Sequence, residues 1–249
     1  MIYNFVIALY ISAVHLAALF NKKVSKMVKG EKEAFAVLKK QIDPQAKYLW
    51  FHAASLGEFE QGRPLIEQIR KQYPQYKILQ TFFSPSGYEV RKDYKGADVV
   101  CYLPLDSPRN VKKFINLAHP YMAFFIKYEF WCNYLSELKR RNIPVYSVSS
   151  IFRPQQIFFR WYGGSYKNVL KCFDHLFVQN EESVRLLESI GADSYDSSRR
   201  YSFRPGYWKF AVRRKNYRLV ESFKGNNRKT FVAGSSWAPD EDIFIPYFQ

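Results

Sequence analysis

The chain has 249 residues, 47% hydrophobic and 24% charged, a balance that excludes both a disordered tail and a multi-span membrane protein. Its 22 Phe, 19 Tyr and 5 Trp can build a sizeable core without disulfide staples, and three cysteines without CxxC spacing (Cys101, Cys132, Cys172) argue for reduced thiols and against a zinc site. The net charge of +16 points first to an anionic partner, but its distribution weakens that inference: eight Lys/Arg and no Asp/Glu fall between Arg199 and Arg218.

Residues 1–20, MIYNFVIALYISAVHLAALF, carry no Asp, Glu, Lys or Arg. The run is just long enough to cross a hydrocarbon core of about 30 Å, so a membrane anchor is the first reading. A signal peptide and a buried amphipathic helix are the alternatives, although neither a basic leader nor an A-x-A-like cleavage site is evident. Lys22, Lys23, Lys26 and Lys29 follow at once and would hold the rest of the chain on the cytoplasmic side. A polar linking helix then runs through about Ile42, within a segment spanning 21–45.

From about residue 46, short apolar runs (YLWFHAAS, YKILQTFFS, ADVVCYLP, YMAFFIKYE, PVYSVSSIF, HLFVQN) alternate with helical patterns (GEFEQGRPLIEQIRKQY, SPRNVKKFINLA, NYLSELKRRN, EESVRLLESIG). Continuous apolar strands joined by helices predict an α/β fold, a parallel sheet covered on both faces, here over about 46–192. Ligands bind such sheets beyond the carboxyl ends of the strands. That rule selects His52, Ser55, Gly57 and Glu58 after the first strand, then Thr81, Ser84, Ser86 and Gly87 after the second. Asp106 and Ser107 follow the third, Glu129, Trp131 and Asn133 the fourth, and Ser149, Ser150 and Arg153 the fifth. All are expected on one rim.

Each has a structural alternative. Glu58 and Glu129 fit helix first turns, where the dipole favours a carboxylate. Ser84, Ser86 and Ser107 fit N-caps, Trp131 is expected in the core, and His52 fits a satisfied core imidazole. There is no GxGxxG, GxxxxGK[ST] or GxSxG, so no familiar phosphate loop or hydrolase elbow is supported.

HAASLGEFEQGRPLIE, TFFSPSGYE, YLPLDSPRNVKKFI, KYEFWCN, FVQNEES and GSSWAPDE, in that order, resemble the amino-terminal half of 3-deoxy-D-manno-octulosonic acid (Kdo) transferases, over most of residues 1–192 and again from about 219 to 249. The resemblance implies a GT-B architecture of two Rossmann-like domains, the first (46–227) taking the lipid acceptor, with a second starting at about 228. It implies inverting, metal-independent transfer of Kdo from CMP-Kdo to lipid A precursor (lipid IVA), without a cofactor. Glu58 then matches the general base, kept ionised by the helix dipole. Glu129, in KYEFWCN, matches a second acidic motif that orients the acceptor or the neighbourhood of the Kdo carboxyl. Ser55, Gly57, Ser84, Ser86, Gly87, Asn133 and Arg153 become acceptor-side residues, and Gly234, Ser235 and Ser236 donor-side ones. The implied setting is the cytoplasmic face of the inner membrane, and the aromatic-basic segment FRPQQIFFRWY (152–162) fits either headgroup level or a packed helix.

Two departures accompany this resemblance. The second domain would stop at residue 249, which predicts an acceptor domain with little transfer of its own, or a membrane-anchored lipid-binding scaffold. Residues 193–218 lack the Gly-Asp-Thr-Arg-Phe-Asp-Arg pattern expected there, yet RRYSFRP can be encoded so that the next reading frame spells it. A pair of compensating frameshifts accounts for that segment and for its excess of positive charge. With that charge discounted, nucleic acid is not expected as a partner.

Overall fold

The computed structural model describes residues 2–191. Two helices lead the chain, α1 (Ile2–Phe20) and α2 (Lys22–Gln41), followed by an alternating series. It runs β1 (Tyr48–Ala53), α3 (Leu56–Gln72), β2 (Lys77–Phe82), α4 (Pro85–Arg91), β3 (Val99–Tyr102), α5 (Pro108–Ala118) and β4 (Pro120–Ile126). It continues with α6 (Cys132–Arg140), β5 (Val145–Ser150), α7 (Gly164–Leu170), β6 (His175–Val178) and α8 (Glu181–Ser189). All six strands expected from the apolar runs form, and all pair in parallel in the order β3-β2-β1-β4-β5-β6. The sheet is the Rossmann-like α/β layer that the alternation predicts.

Alternation along β1 shows how the sheet is buried on both faces. Tyr48 and Trp50 pack with Ala34 and Leu38 of α2, Phe114 of α5 and Leu135 of α6. Leu49, Phe51 and Ala53 point the other way, to Phe59 and Ile66 of α3. Trp50 anchors the first layer, with its ring centroid 4.9 Å from Phe114 and 5.2 Å from Phe125, and its indole N–H donates to Thr81 Oγ1 at 2.8 Å. A buried indole without such an acceptor would cost about 1–3 kcal/mol.

The apolar amino terminus forms a helix as expected, with a mean hydropathy of 1.8 over Tyr3–Phe20. Of that span, 11% is buried against the described residues. One narrow stripe does face the protein: Ile11, Val14 and Ala18 pack with Met27, Val28, Tyr102 and Leu105. Near its start, the Tyr3 hydroxyl donates to Asp106 at 2.6 Å. The segment from 152 to 162 is not a helix. Phe152 and Phe158 are buried around a short 3-10 turn at Ile157–Phe159, whereas Trp161 and Tyr162 are exposed.

Candidate active site

The strand order reverses between β1 and β4: the chain builds outward through β2 and β3 on one side, and through β5 and β6 on the other. A doubly wound sheet opens a crevice at that switch point, beyond the carboxyl ends of the two central strands. Glu58 follows β1 and Glu129 follows β4, so one carboxylate comes from each side of it.

After β1, Ser55 caps α3 in extended backbone, and Glu58 stands in the third helical position. Its Oε2 accepts the Ser55 backbone N–H at 3.0 Å, which closes a capping box. The capping role read from the sequence is therefore real for Glu58. The expectation that the dipole lowers its pKa is not. Burial, and then the charge of Glu129, push the Glu58 carboxyl above the ordinary glutamate range, outweighing the Ser55 and Ala54 N–H groups and His52, which pull it down. Desolvation penalises the charged form more than a few amide dipoles restore.

Glu129 is not a helix cap. It precedes α6, whose N-cap is Trp131, and its side chain turns inward, leaving the residue 8% exposed. The turn begins at Lys127, whose φ of 64° lies in the left-handed region. For a residue with a Cβ this costs roughly 1–2 kcal/mol. Lys127 is held there by its N–H on Val148 O at 2.8 Å and by Ser150 Oγ, which donates to its carbonyl at 2.8 Å. Glu129 Oε2 then accepts the Trp131 indole N–H at 2.6 Å and lies 3.0 Å from His52 Nε2. Trp131, expected in the core, packs half-buried against the cluster around Trp50, with its ring 5.2 Å from Phe83.

His52 is fully buried on the Trp50 face of β1. A carboxylate can only accept, so Nε2 carries the proton towards Glu129, and Nδ1 lies 2.9 Å from Thr81 Oγ1. Thr81 accepts from Trp50 and is thus free to donate to Nδ1. The order of donors, Trp50 to Thr81 to His52 to Glu129, uses both ring nitrogens. His52 is thus a satisfied buried imidazole whose partner is a site carboxylate.

The other expected residues divide. Ser55 is shared with Glu58, and Gly57 is exposed, with open space where a Cβ would stand. Ser84 caps α4 by accepting the Ser86 N–H; Ser86 is not itself a cap, and its hydroxyl lies 3.0 Å from Ser84 Oγ. Gly87 is buried, and a Cβ there would overlap the Phe82 ring, so packing accounts for its lack of a side chain. Asn133 is committed to Asp106: its backbone N–H reaches the carboxylate at 3.1 Å and its Nδ2 reaches the carbonyl at 2.6 Å. Asp106 also accepts the Tyr134 N–H at 3.0 Å, capping α6 from a distant loop, and burial pushes its carboxyl up to about 6 despite these donors. Arg153 is exposed, and its backbone N–H donates to Gln156 Oε1 at 3.0 Å. Gly234, Ser235, Ser236 and the anomalous 193–218 segment lie outside the described residues. Thr81 and Trp131 stand on the rim selected from the sequence, but their roles as the His52 bridge and the indole donor to Glu129 were not read there.

The family model described as 3-deoxy-D-manno-octulosonic-acid transferase (kdotransferase) matches residues 29–200. Among curated proteins, a 3-deoxy-D-manno-octulosonic acid transferase of Aquifex aeolicus is 28% identical over 205 residues, 81% of this chain and 50% of that protein. One from Haemophilus influenzae is 38% identical over 102 residues, 41% of this chain and 24% of its own length. A bifunctional glycosyltransferase/methyltransferase of Fusobacterium nucleatum is 24% identical over 216 residues, 82% of this chain and 32% of its own length. The chain thus spans between a quarter and a half of these relatives.

Proposed function

Because the chain belongs to the 3-deoxy-D-manno-octulosonic-acid transferase family, we propose that it supplies the acceptor half of a glycosyltransferase acting with inversion from CMP-Kdo on lipid A precursor (lipid IVA), with Glu58 as general base. The observation that carries this reading is the placement of a half-buried carboxylate at the switch-point crevice, with its pKa raised by burial and by a second carboxylate. A base with a raised pKa takes a proton more readily while remaining ionised over a useful range. In the proposed step, the acceptor hydroxyl oxygen forms a bond to the anomeric carbon, its proton passes to Glu58, and the bond from that carbon to the CMP phosphate oxygen breaks. CMP leaves with the electron pair. Glu129, fixed by His52 and Trp131, orients the acceptor beside Glu58. No metal or cofactor takes part in this scheme.

The capping box favours a second reading, in which Glu58 only holds the start of α3 and the chain is a lipid-binding scaffold. Transfer from CMP-Kdo, assayed in a chain that includes the donor half, separates the two. As base, Glu58→Gln lowers transfer by about 10²–10⁴-fold; as cap, it costs about 0.5–1 kcal/mol of stability and little turnover. Turnover within about tenfold of the parent removes Glu58 from the role. The pH profile adds a signature. The rate should rise with pH through a pKa above the ordinary glutamate range, and Glu129→Gln, by removing the like charge, should move that rise to lower pH.

A further inference from the structure

The geometry points to α1 lying in the plane of an anionic lipid surface, along the flank of its own domain, rather than crossing the bilayer. This rests on contacts made by both ends of the helix and does not depend on the transferase reading. Towards the start of α1, the Tyr3 hydroxyl donates to Asp106 at 2.6 Å and accepts the Cys132 N–H at 3.3 Å, and its ring meets Tyr166 at 6.3 Å. Further along, Ile7 and Val14 are buried, and Ile11 and Ala18 join the cluster with Met27, Val28, Tyr102 and Leu105. Positions 3, 7, 11, 14 and 18 form one stripe, about 22 Å long at 1.5 Å per residue. A helix standing across a bilayer would carry Tyr3 roughly 30 Å from the domain that its hydroxyl touches.

Away from that stripe α1 is mainly apolar, interrupted by exposed Asn4, Ser12 and His15, and among the described residues Phe5, Val6, Leu9, Leu16, Leu19 and Phe20 are all exposed, Phe20 by 85%. Both ends of this face carry the groups that favour a membrane interface. At one end Lys22, Lys23, Lys26 and Lys29 are exposed on α2. At the other, Tyr166 links α1 to the 157–162 turn, where Trp161 is 92% exposed beside exposed Arg160 and Tyr162. Apolar side chains flanked by lysines and aromatic rings match a lipid surface with anionic headgroups. A second copy answers this less well, because α1 carries no acidic residue to meet those lysines.

Two measurements on the full chain test the assignment. A short polar extension ahead of Met1 carrying one cysteine is labelled with a membrane-impermeant maleimide in sealed membrane vesicles of both orientations. The site is read by peptide mass and compared with Lys95→Cys, an exposed position on the domain. Labelling of both sites from the same side is expected; labelling from opposite sides shows a spanning helix and overturns the proposal. Sedimentation with phosphatidylcholine vesicles, with and without phosphatidylglycerol, tests the occupant. Binding should need the anionic lipid and weaken about fivefold for each of Lys22, Lys23, Lys26 and Lys29 changed to Gln. Leu16→Glu, off the buried stripe, should abolish binding without altering the circular dichroism. A chain that ignores both vesicle types and is instead a dimer dissociated by Leu16→Glu assigns the face to a second copy, which also overturns it.

Discussion

Replacing His52 by leucine tests whether the imidazole and Glu129 form one energetic unit. His52 is 0% and Glu129 8% exposed, and the described donors to the Glu129 carboxylate are His52 Nε2 at 3.0 Å and the Trp131 indole at 2.6 Å. Leucine removes one of these two from a carboxylate that water barely reaches. A hydrogen bond to a charged group is worth about 1.5–3 kcal/mol. On the other side of the ring the loss is small, because the Thr81 hydroxyl keeps Phe51 O at 3.4 Å as a fallback acceptor. The expected cost is about 2–3 kcal/mol, or roughly 4–12 °C in unfolding midpoint for a chain of this size. Glu129→Met strands the same His52 N–H from the opposite side, so the double variant should lose about 1.5–3 kcal/mol less than the sum of the singles. Urea unfolding of the four proteins, followed by circular dichroism, measures this directly. Additivity within about 0.5 kcal/mol, the behaviour of sites without shared partners, would refute the coupling.

Glu31 offers a pH test. The residue is 7% exposed, Oε2 accepts the Leu105 N–H at 3.2 Å, Oε1 has no hydrogen-bond partner among the described residues, and burial raises its pKa from 4.5 to about 8. The folded chain holds this proton to higher pH than the unfolded chain, so the stability it contributes is complete below 4.5 and is lost as pH rises to about 8. Glu31→Gln should flatten that decline in the unfolding midpoint; an unchanged slope would place its source elsewhere. Two glycines make a contrasting pair in thermal unfolding. Gly57→Ala adds a Cβ into open space in the first turn of α3 and should gain about 0.5–1 kcal/mol, so reduced acceptor binding by this variant would locate a ligand against that backbone. Gly87→Ala must displace the Phe82 ring and should lose about 1–3 kcal/mol; an unchanged midpoint would contradict the packing account.

Elements with a strong local signal were the legible ones. The six apolar runs became strands because both faces of a doubly wound sheet are dry, so no polar alternation interrupts YLWFHA or PYMAFFI. Two short helices gave little signal: α4 was marked only by its N-cap serines and α7 went unread, each being seven residues and so too short to display a helical period. The capping role of Glu58 was legible because it depends only on positions within three residues of Ser55. The electrostatics were not, since the Glu58 pKa is set by burial and by Glu129, 71 residues away in the chain. The hydrogen-bonding roles of Trp131 and Asp106 were left unread for the same reason. A tryptophan beside a strand reads as core unless the carboxylate two positions earlier is known to turn back under it. An aspartate before a serine cap gives no sign that it will satisfy a helix starting 26 residues later.

The hydrogen bond from Tyr3 to Asp106 also has a consequence in time. Its two ends are 103 residues apart, and the Cys132 N–H that completes the contact is 129 residues from Tyr3. At synthesis rates of about 5–20 residues per second, the first twenty residues leave the ribosome roughly 4–17 s before Asp106 does. During that interval the stripe that will face the domain is as bare as the face that will not. The spacing of the chain therefore leaves α1 without its fold partners well after it has emerged, and the contact at Tyr3 closes only once β4 and the start of α6 have been made.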